Sequence, residues 1–349
     1  MTSGDFKTDY RKDIAIFQTT WVKGWLVFFI LALLIFPFVV GEYPVYIMNL
    51  CGIAIIGALG LNILTGFTGQ ISLGHAAFIA IGAYTSGILT TKLGMPFWFT
   101  IPIAGLVSAF AGLIVGIPSL RLKGLYLAIT TMAFSIIVEY IIMRWKSLTG
   151  GAVGMEIPRP VLGGIAFESD RSFYFVILFF VVLGIIFSRN LIRTKAGRAF
   201  IAIRDRDIAA EVIGVDLSRY KIISFMISSF YAGVAGSLYG ALIMNISSEQ
   251  FALHVSIEYV AMIIIGGMGS ILGSIYGAVF MTLVPEILRF SVKLFGIADI
   301  YPSIIDIIDE IKVGVFGILI ILFLIYEPEG IYGRWRKIKA YWKTWPFTY

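Results

Sequence analysis

The chain is a succession of apolar runs, most of them about as long as a lipid bilayer is thick, and that feature decides what it can fold into. Eight runs are clear: Trp25–Val40, Pro44–Leu64, Ile71–Thr91, Phe97–Ser119, Gly124–Met143, Ser172–Ser188, Ile222–Met244 and Ile308–Tyr326. In hydrocarbon every backbone N–H and C=O must find a partner inside its own segment, so such runs become helices. The stretch Ser256–Leu288 is too long for one span, because as a straight helix it would reach about 50 Å across a core of about 30 Å. "GGMGS" at 266–270 lies near its middle, which predicts two shorter segments meeting at the glycines. The predicted fold class is therefore all-α: a polytopic membrane helix bundle of about ten transmembrane helices with glycine-broken segments.

Composition excludes the soluble alternatives. Of 349 residues 59% are hydrophobic and 14% charged, against about 45–50% and about 25% in soluble domains. Cys51 is the single cysteine, which rules out an intramolecular disulfide and a cysteine-built metal site. His75 and His254 are the only histidines, so no metal site is expected. The excess of 27 Lys+Arg over 21 Asp+Glu is read as loop orientation, with no nucleic-acid partner. Residues 1–24 are polar and "GEYP" after the first run offers no cleavage site, so that run is expected to stay as a span.

Charge sets the count. The 189–221 segment carries eight Lys and Arg, and the tail after Gly333 carries five with no acid. Ten spans place the N-terminus, Arg121/Lys123, the 189–221 loop and the tail on the cytoplasmic side, collecting 19 of the 27 basic residues there. Nine would put the basic tail outside. The expected division is a cytoplasmic segment 1–24, a transmembrane domain 25–326 and a basic cytoplasmic tail 327–349, in the inner (cytoplasmic) membrane with both termini inside. On the outer side this leaves 41–43, 145–171, 245–255 and 289–307, none large enough for a domain of its own.

The stretch "GLNILTGFTGQISLGHAAF" at 60–78 looks like a phosphate loop but lacks the lysine one requires: none occurs between Lys23 and Lys92. Its glycines are interleaved with Asn62, Thr65, Thr68, Gln70, Ser72 and His75, which are costly against lipid and should face the bundle interior. Elsewhere the GxxxG pairs Gly112/Gly116, Gly236/Gly240, Gly269/Gly273 and Gly273/Gly277 are read as helix-packing notches. Glu139, Glu258 and Glu286 fall within or at the ends of spans, where a structural ion pair is at least as good a reading as a proton relay. No nucleophile–base pair is spaced for hydrolysis.

Six blocks carry a resemblance: "LNILTGFTGQISLGHAAFIAIGAYTSGIL" (61–89), "GLYLAITTMAFSIIVEYI" (124–141), "LTGGAVGM" (148–155), "AGRAFIAIRDRDIAAEVIGVDLSRYKIISFMIS" (196–228), "EYVAMIIIGGMGSILGSIYGAVF" (258–280) and "EPEGIYG" (327–333). In this order they resemble the LivM-like permease subunit of branched-chain amino acid ABC importers. The resemblance implies a half-transporter without a catalytic or nucleotide site of its own, in which ATP and Mg are bound by partners. Those partners would be a homologous LivH-like permease, two cytoplasmic ATPase subunits and an extracytoplasmic substrate-binding protein, within membrane lipid. It makes Asn62, Thr65, Gly66, Gly69, Gln70, Ser72, Gly74 and His75 candidates for lining the translocation pathway. Residues 208–214, "IAAEVIG", resemble the EAA…G coupling element of importer permeases, with Ile208 where that element has Glu. The coupling helix would then involve Arg198, Arg204, Asp205, Asp207, Ala209, Ala210, Glu211 and Gly214. Asp205 or Asp207 could cap it and Gly214 could end it. A urea or short-amide permease and an ion-coupled secondary transporter are the alternative readings.

Overall fold

The computed structural model describes residues 20–162, 165–167, 169–294 and 304–344. The expected segment 1–24 lies almost wholly outside that range, as does much of 289–307. Twelve helices organise the described chain: α1 (Thr20–Val39), α2 (Glu42–Leu61), α3 (His75–Thr91), α4 (Phe97–Ser119), α5 (Leu125–Arg144), α6 (Asp170–Arg193), α7 (Lys195–Val212), α8 (Leu217–Ile243), α9 (Leu253–Gly266), α10 (Ile271–Leu294), α11 (Ile304–Tyr326) and α12 (Gly330–Thr344), with short turns between them. Eight segments are long and apolar enough to cross a membrane, and α1 and the 17-residue α3 make up the ten expected apolar helices.

The third run departs from expectation. Residues 68–74 are not helical, and α3 starts only at His75, so this helix is about 26 Å long at about 1.5 Å per residue. Gly69, at φ +74, is the local reason the helix cannot continue through the stretch. The 256–288 run breaks as expected. Helix α9 ends at Gly266, Gly267 and Gly269 take φ values of +119 and +74, and α10 starts at Ile271.

Helices α2 and α8 form the centre. Helix α8 packs on α2, α3 and α4, while α2 also receives α6 and α10. Small residues set these approaches. A Cβ at Gly233 would meet the Ala104 carbonyl at 2.7 Å, and one at Gly277 would overlap the carbonyl of Met262. Gly112 lies against Ser229, and Gly236 against the backbone of Ile79, so these glycines are packing notches. Lipid-facing apolar surface is extensive on α1, α5 and α11, where Phe28, Tyr126 and Ile325 are all at least 63% exposed.

The loops sort into two ends. At one, Arg171 reaches the Val40 carbonyl, Arg159 pairs with Asp170, and Met155–Glu156 forms a two-residue antiparallel ribbon with Asn245–Ile246. That ribbon and a second one, Val161–Leu162 with Ile165–Ala166, are the β-structure among the described residues. At the opposite end Arg204 meets Gly66, Lys123 pairs with Asp207, and Gly330 lies over Gly267. These groupings are those that ten spans require.

Candidate functional site

The polar stretch after α2 folds into a joint. Beyond Leu61 the helix widens into a π-helical turn, Asn62–Phe67, closed by the Thr68 hydroxyl donating to the Ile63 carbonyl at 2.9 Å. The Thr65 hydroxyl donates to the Gln70 carbonyl at 3.0 Å. Buried irregular backbone must find hydrogen bonds elsewhere, and neighbouring helices supply them. Leu73 N–H donates to Thr131 Oγ1 at 2.9 Å and Ala76 N–H to Ser256 Oγ at 2.9 Å, which serves the start of α3 where Gly74 has no side chain to cap it. Gly74 itself is needed, since a Cβ there would sit 2.5 Å from the Thr131 carbonyl.

Asn62 ties this turn to the α9–α10 break. Its Oδ1 accepts from Gly269 N–H at 2.9 Å and its Nδ2 donates to the Ser270 carbonyl at 2.9 Å. One amide thus satisfies a donor and an acceptor that the second interrupted helix leaves open. The break is covered from a third side, where the Glu329 carbonyl lies beside Gly267 and Gly330 takes φ +69. The tail beyond is helix α12, braced by Arg334–Glu327 and Arg336–Glu329 pairs.

Helix α7 is fastened to this joint. Arg204 Nη1 donates to the Gly66 carbonyl at 3.1 Å, and its Nε and Nη2 donate to Asp205 Oδ1 at 3.1 and 3.0 Å. The same guanidinium lies where a Cβ on Gly269 would be, and the Arg204 backbone covers Gly69. Thr194 caps α7, accepting from Gly197 N–H at 3.4 Å, and Arg198 reaches the Arg193 carbonyl. At Arg206 the helix breaks, with φ −157 and ψ 102. Asp207 then opens a short second helix, its carboxylate accepting from Ile208 N–H at 2.9 Å and pairing with Lys123 of the α4–α5 loop. That ammonium holds the Asp207 carboxyl below the usual carboxylate range. The pair is therefore complete above about pH 3.9 and is lost only as pH falls through the depressed value.

Gly214, at φ +90, ends the second helix. Val215 N–H donates to the Ala210 carbonyl and Gly214 N–H to that of Glu211, the two bonds of a Schellman motif. Ala210 is 2% exposed and faces the protein, whereas Ala209 and Glu211 face outward. Around Ala209, Ile208, Val212 and Ile213 are 71%, 82% and 76% exposed. They form an apolar patch at the basic end of the bundle.

The eight pathway candidates are therefore joint residues in this geometry. Asn62, Thr65, Gln70, Ser72 and His75 are each at most 7% exposed, and each side chain bonds to protein. His75 Nε2 meets the Gly57 carbonyl at 3.0 Å, and Gln70 Nε2 donates to Ser224 Oγ at 2.7 Å. None of the eight lines the cavity of about 840 Å³ that opens among α2, α9 and α10 toward the opposite end. The signal for that cavity in the sequence was its carboxylates, Glu258 and Glu286, within apolar runs. A Gly66→Val substitution would drive a side chain into Asn62 and Gly269. It is expected to cost about 1–3 kcal/mol, read as a lower melting temperature of the detergent-purified protein, while Gly214→Asn leaves that temperature nearly unchanged.

Residues 43–324 match the family described as "Branched-chain amino acid transport system / permease component". Two similar proteins are the high-affinity branched-chain amino acid transport system permease proteins LivM of Salmonella typhimurium and Escherichia coli. Each is 35% identical over 332 residues, covering 87% of this chain and 74% of the relative. The probable branched-chain amino acid transport permease protein LivH of Methanocaldococcus jannaschii is 25% identical over 82% of this chain and 91% of its own. No solved structure matches. With the family match spanning most of the chain, this multi-pass membrane protein belongs to the permease components of branched-chain amino acid transport systems.

Proposed function

We propose that this chain forms half of the translocation pathway of an ATP-driven importer for branched-chain amino acids. The observation that carries the proposal is the way α7 joins an exposed apolar patch to the helix joint. Ile208, Ala209, Val212 and Ile213 offer an apolar face at the basic end, and Arg204 fastens the same element to the π-helical turn and the α9–α10 break. Such a face suits the groove of a soluble partner, because desolvated apolar contacts near an interface centre carry most of its energy. The partners are a homologous LivH-like permease, two ATPase subunits that bind ATP and Mg on the cytoplasmic side, and an external substrate-binding protein. The chain supplies no ATPase site. Both termini and α7 lie in the cytoplasm, consistent with the positive-inside rule.

The joint residues act by keeping two interrupted helices in register while the pair of permeases alternates access. The relatives named above carry branched-chain amino acids in their names, which favours that cargo over urea or short amides. The test is uptake of labelled leucine by proteoliposomes holding this chain with its partner subunits and loaded binding protein. Uptake is expected only with ATP inside. Uptake that persists without the ATPases and follows an ion gradient would overturn the reading. A periplasm-dependent reporter fused after Tyr349 is expected to be inactive, and an active one would reverse the orientation.

A further inference from the structure

Helix α12 leaves the bundle with an apolar stripe down one side. Ile331, Trp335, Ile338 and Trp342 recur at steps of four, three and four, which gathers them into an arc of about 60° on a helix about 22 Å long. Ile331 is half-buried and packs on the hydrophobic core, and Gly333 close by is buried. Further along, the same stripe is open: Trp335, Ile338 and Trp342 are 53%, 43% and 68% exposed.

Basic residues border the stripe. Arg334 and Lys339 each lie about 40° from its edges, with Arg336 and Lys337 on the far face. From Glu327 onward the sequence has five Lys and Arg against two acids. Glu327 pairs with Arg334, while Glu329 serves both Arg336 and Lys337. Two carboxylates thus meet three cations before Lys339 and Lys343 are counted. Residues 1–24 carry four basic and three acidic side chains, and the 189–221 loop is basic too, so this end of the chain supplies no compensating negative charge.

The helix also starts at the edge of a membrane crossing. The apolar helix α11 ends at Tyr326, and after three residues Gly330, at φ +69, turns the chain into α12. Its first turn rests on the α9–α10 break, where a Cβ on Gly267 would come 3.4 Å from Tyr332.

We propose that α12 is a membrane-surface anchor, which lays its tryptophan stripe into the headgroup region and holds anionic lipid headgroups with the basic residues on either side. Tryptophan suits that boundary, and Lys and Arg next to a span gain from the negative surface of an anionic leaflet. Their stems cover apolar surface while their charges reach the phosphates. A basic helix with one aromatic stripe lies in the interface plane. Lipid is favoured over a protein groove because the centres of protein interfaces are poor in lysine. The assignment depends neither on the cargo nor on the importer reading.

The experiment places the full chain in nanodiscs of phosphatidylcholine alone, or of phosphatidylcholine and phosphatidylglycerol in equal parts. Hydrogen exchange of residues 331–344 is followed by mass spectrometry. An exposed terminal helix opens readily, so exchange in the anionic discs is expected to be at least tenfold slower than in the neutral ones. High salt is expected to reverse much of that gain. Trp335→Gln/Trp342→Gln and Lys339→Gln/Lys343→Gln are each expected to abolish the difference, while unchanged exchange in α2 and α8 shows that the bundle is folded. Equal exchange of α12 in the two discs would overturn the proposal, as would wild-type protection in both double variants. Protection that appears only when ATPase subunits are added to neutral discs would also overturn it, and would assign the stripe to a protein partner.

Discussion

An importer carrying Ala209→Arg is expected to lose its ATPase subunits on purification, or to keep them without stimulation by loaded binding protein. Ala209 faces outward between Ile208, Val212 and Ile213, so the new side chain would lie in the middle of the apolar patch. An unpaired charge at a desolvated contact costs about 3–5 kcal/mol. At 1.4 kcal/mol per tenfold this is roughly a hundredfold to several thousandfold in affinity. The helix itself should survive, because its Gly214 closure and its Asp207–Lys123 pair are untouched. Ala210→Arg is a different experiment. Ala210 is 2% exposed, and arginine there would unseat the helix from the bundle before any partner arrived. Full co-purification and full stimulation in the Ala209→Arg complex would show that this patch is not the docking face.

Arg204→Met is expected to break transmission while leaving docking intact. The substitution removes the donor to the Gly66 carbonyl and the wedge against Gly269, yet it lies on the far side of the Arg206 break from the patch. A charge-assisted hydrogen bond of this kind is worth about 1.5–3 kcal/mol. ATP hydrolysis should continue, and leucine moved per ATP should fall at least tenfold. Lysine should rescue little, since a point charge cannot hold the Asp205 carboxylate and the Gly66 carbonyl in one planar fork. An unchanged ratio of uptake to hydrolysis would separate Arg204 from the mechanism.

Much of this architecture was legible in the sequence, for physical reasons. Hydrocarbon forbids unpaired backbone, so apolar length translated directly into helices, and the glycines at 266–270 marked the break between α9 and α10. Gly214 announced the end of the short helix after Arg206 because L side chains avoid its φ. The Arg206 break itself had no such mark, since any residue adopts extended φ and ψ. The span reading Ile71–Thr91 starts four residues too early, at Ile71 rather than His75, because Ile71 and Leu73 are apolar. Helix over that stretch is lost to side-chain and backbone bonds with Thr131, Ser224 and Ser256, partners far away in the chain. The same distance hid the role of Asn62, whose partners are about 200 residues on. Polarity at 62–75 signalled burial, which Asn62, Thr65, Gln70, Ser72 and His75 show. Those side chains stitch backbone together, while the open space lies among residues whose periodicity looked ordinary.

The central place of α8 has a consequence for how the protein is made. Helix α8 carries Ser224, Ser228, Ser229 and Ser237 and the glycines at 233, 236 and 240, nearly all buried against earlier helices. Such a segment partitions into lipid less readily than its length suggests, because the polar atoms that suit it to the bundle count against it when alone. Its contacts on α2, α3 and α4 have all left the ribosome by the time it emerges. The helix at the centre thus follows its packing partners out of the ribosome, and a lesion in α2, α3 or α4 is expected to lower its insertion during synthesis.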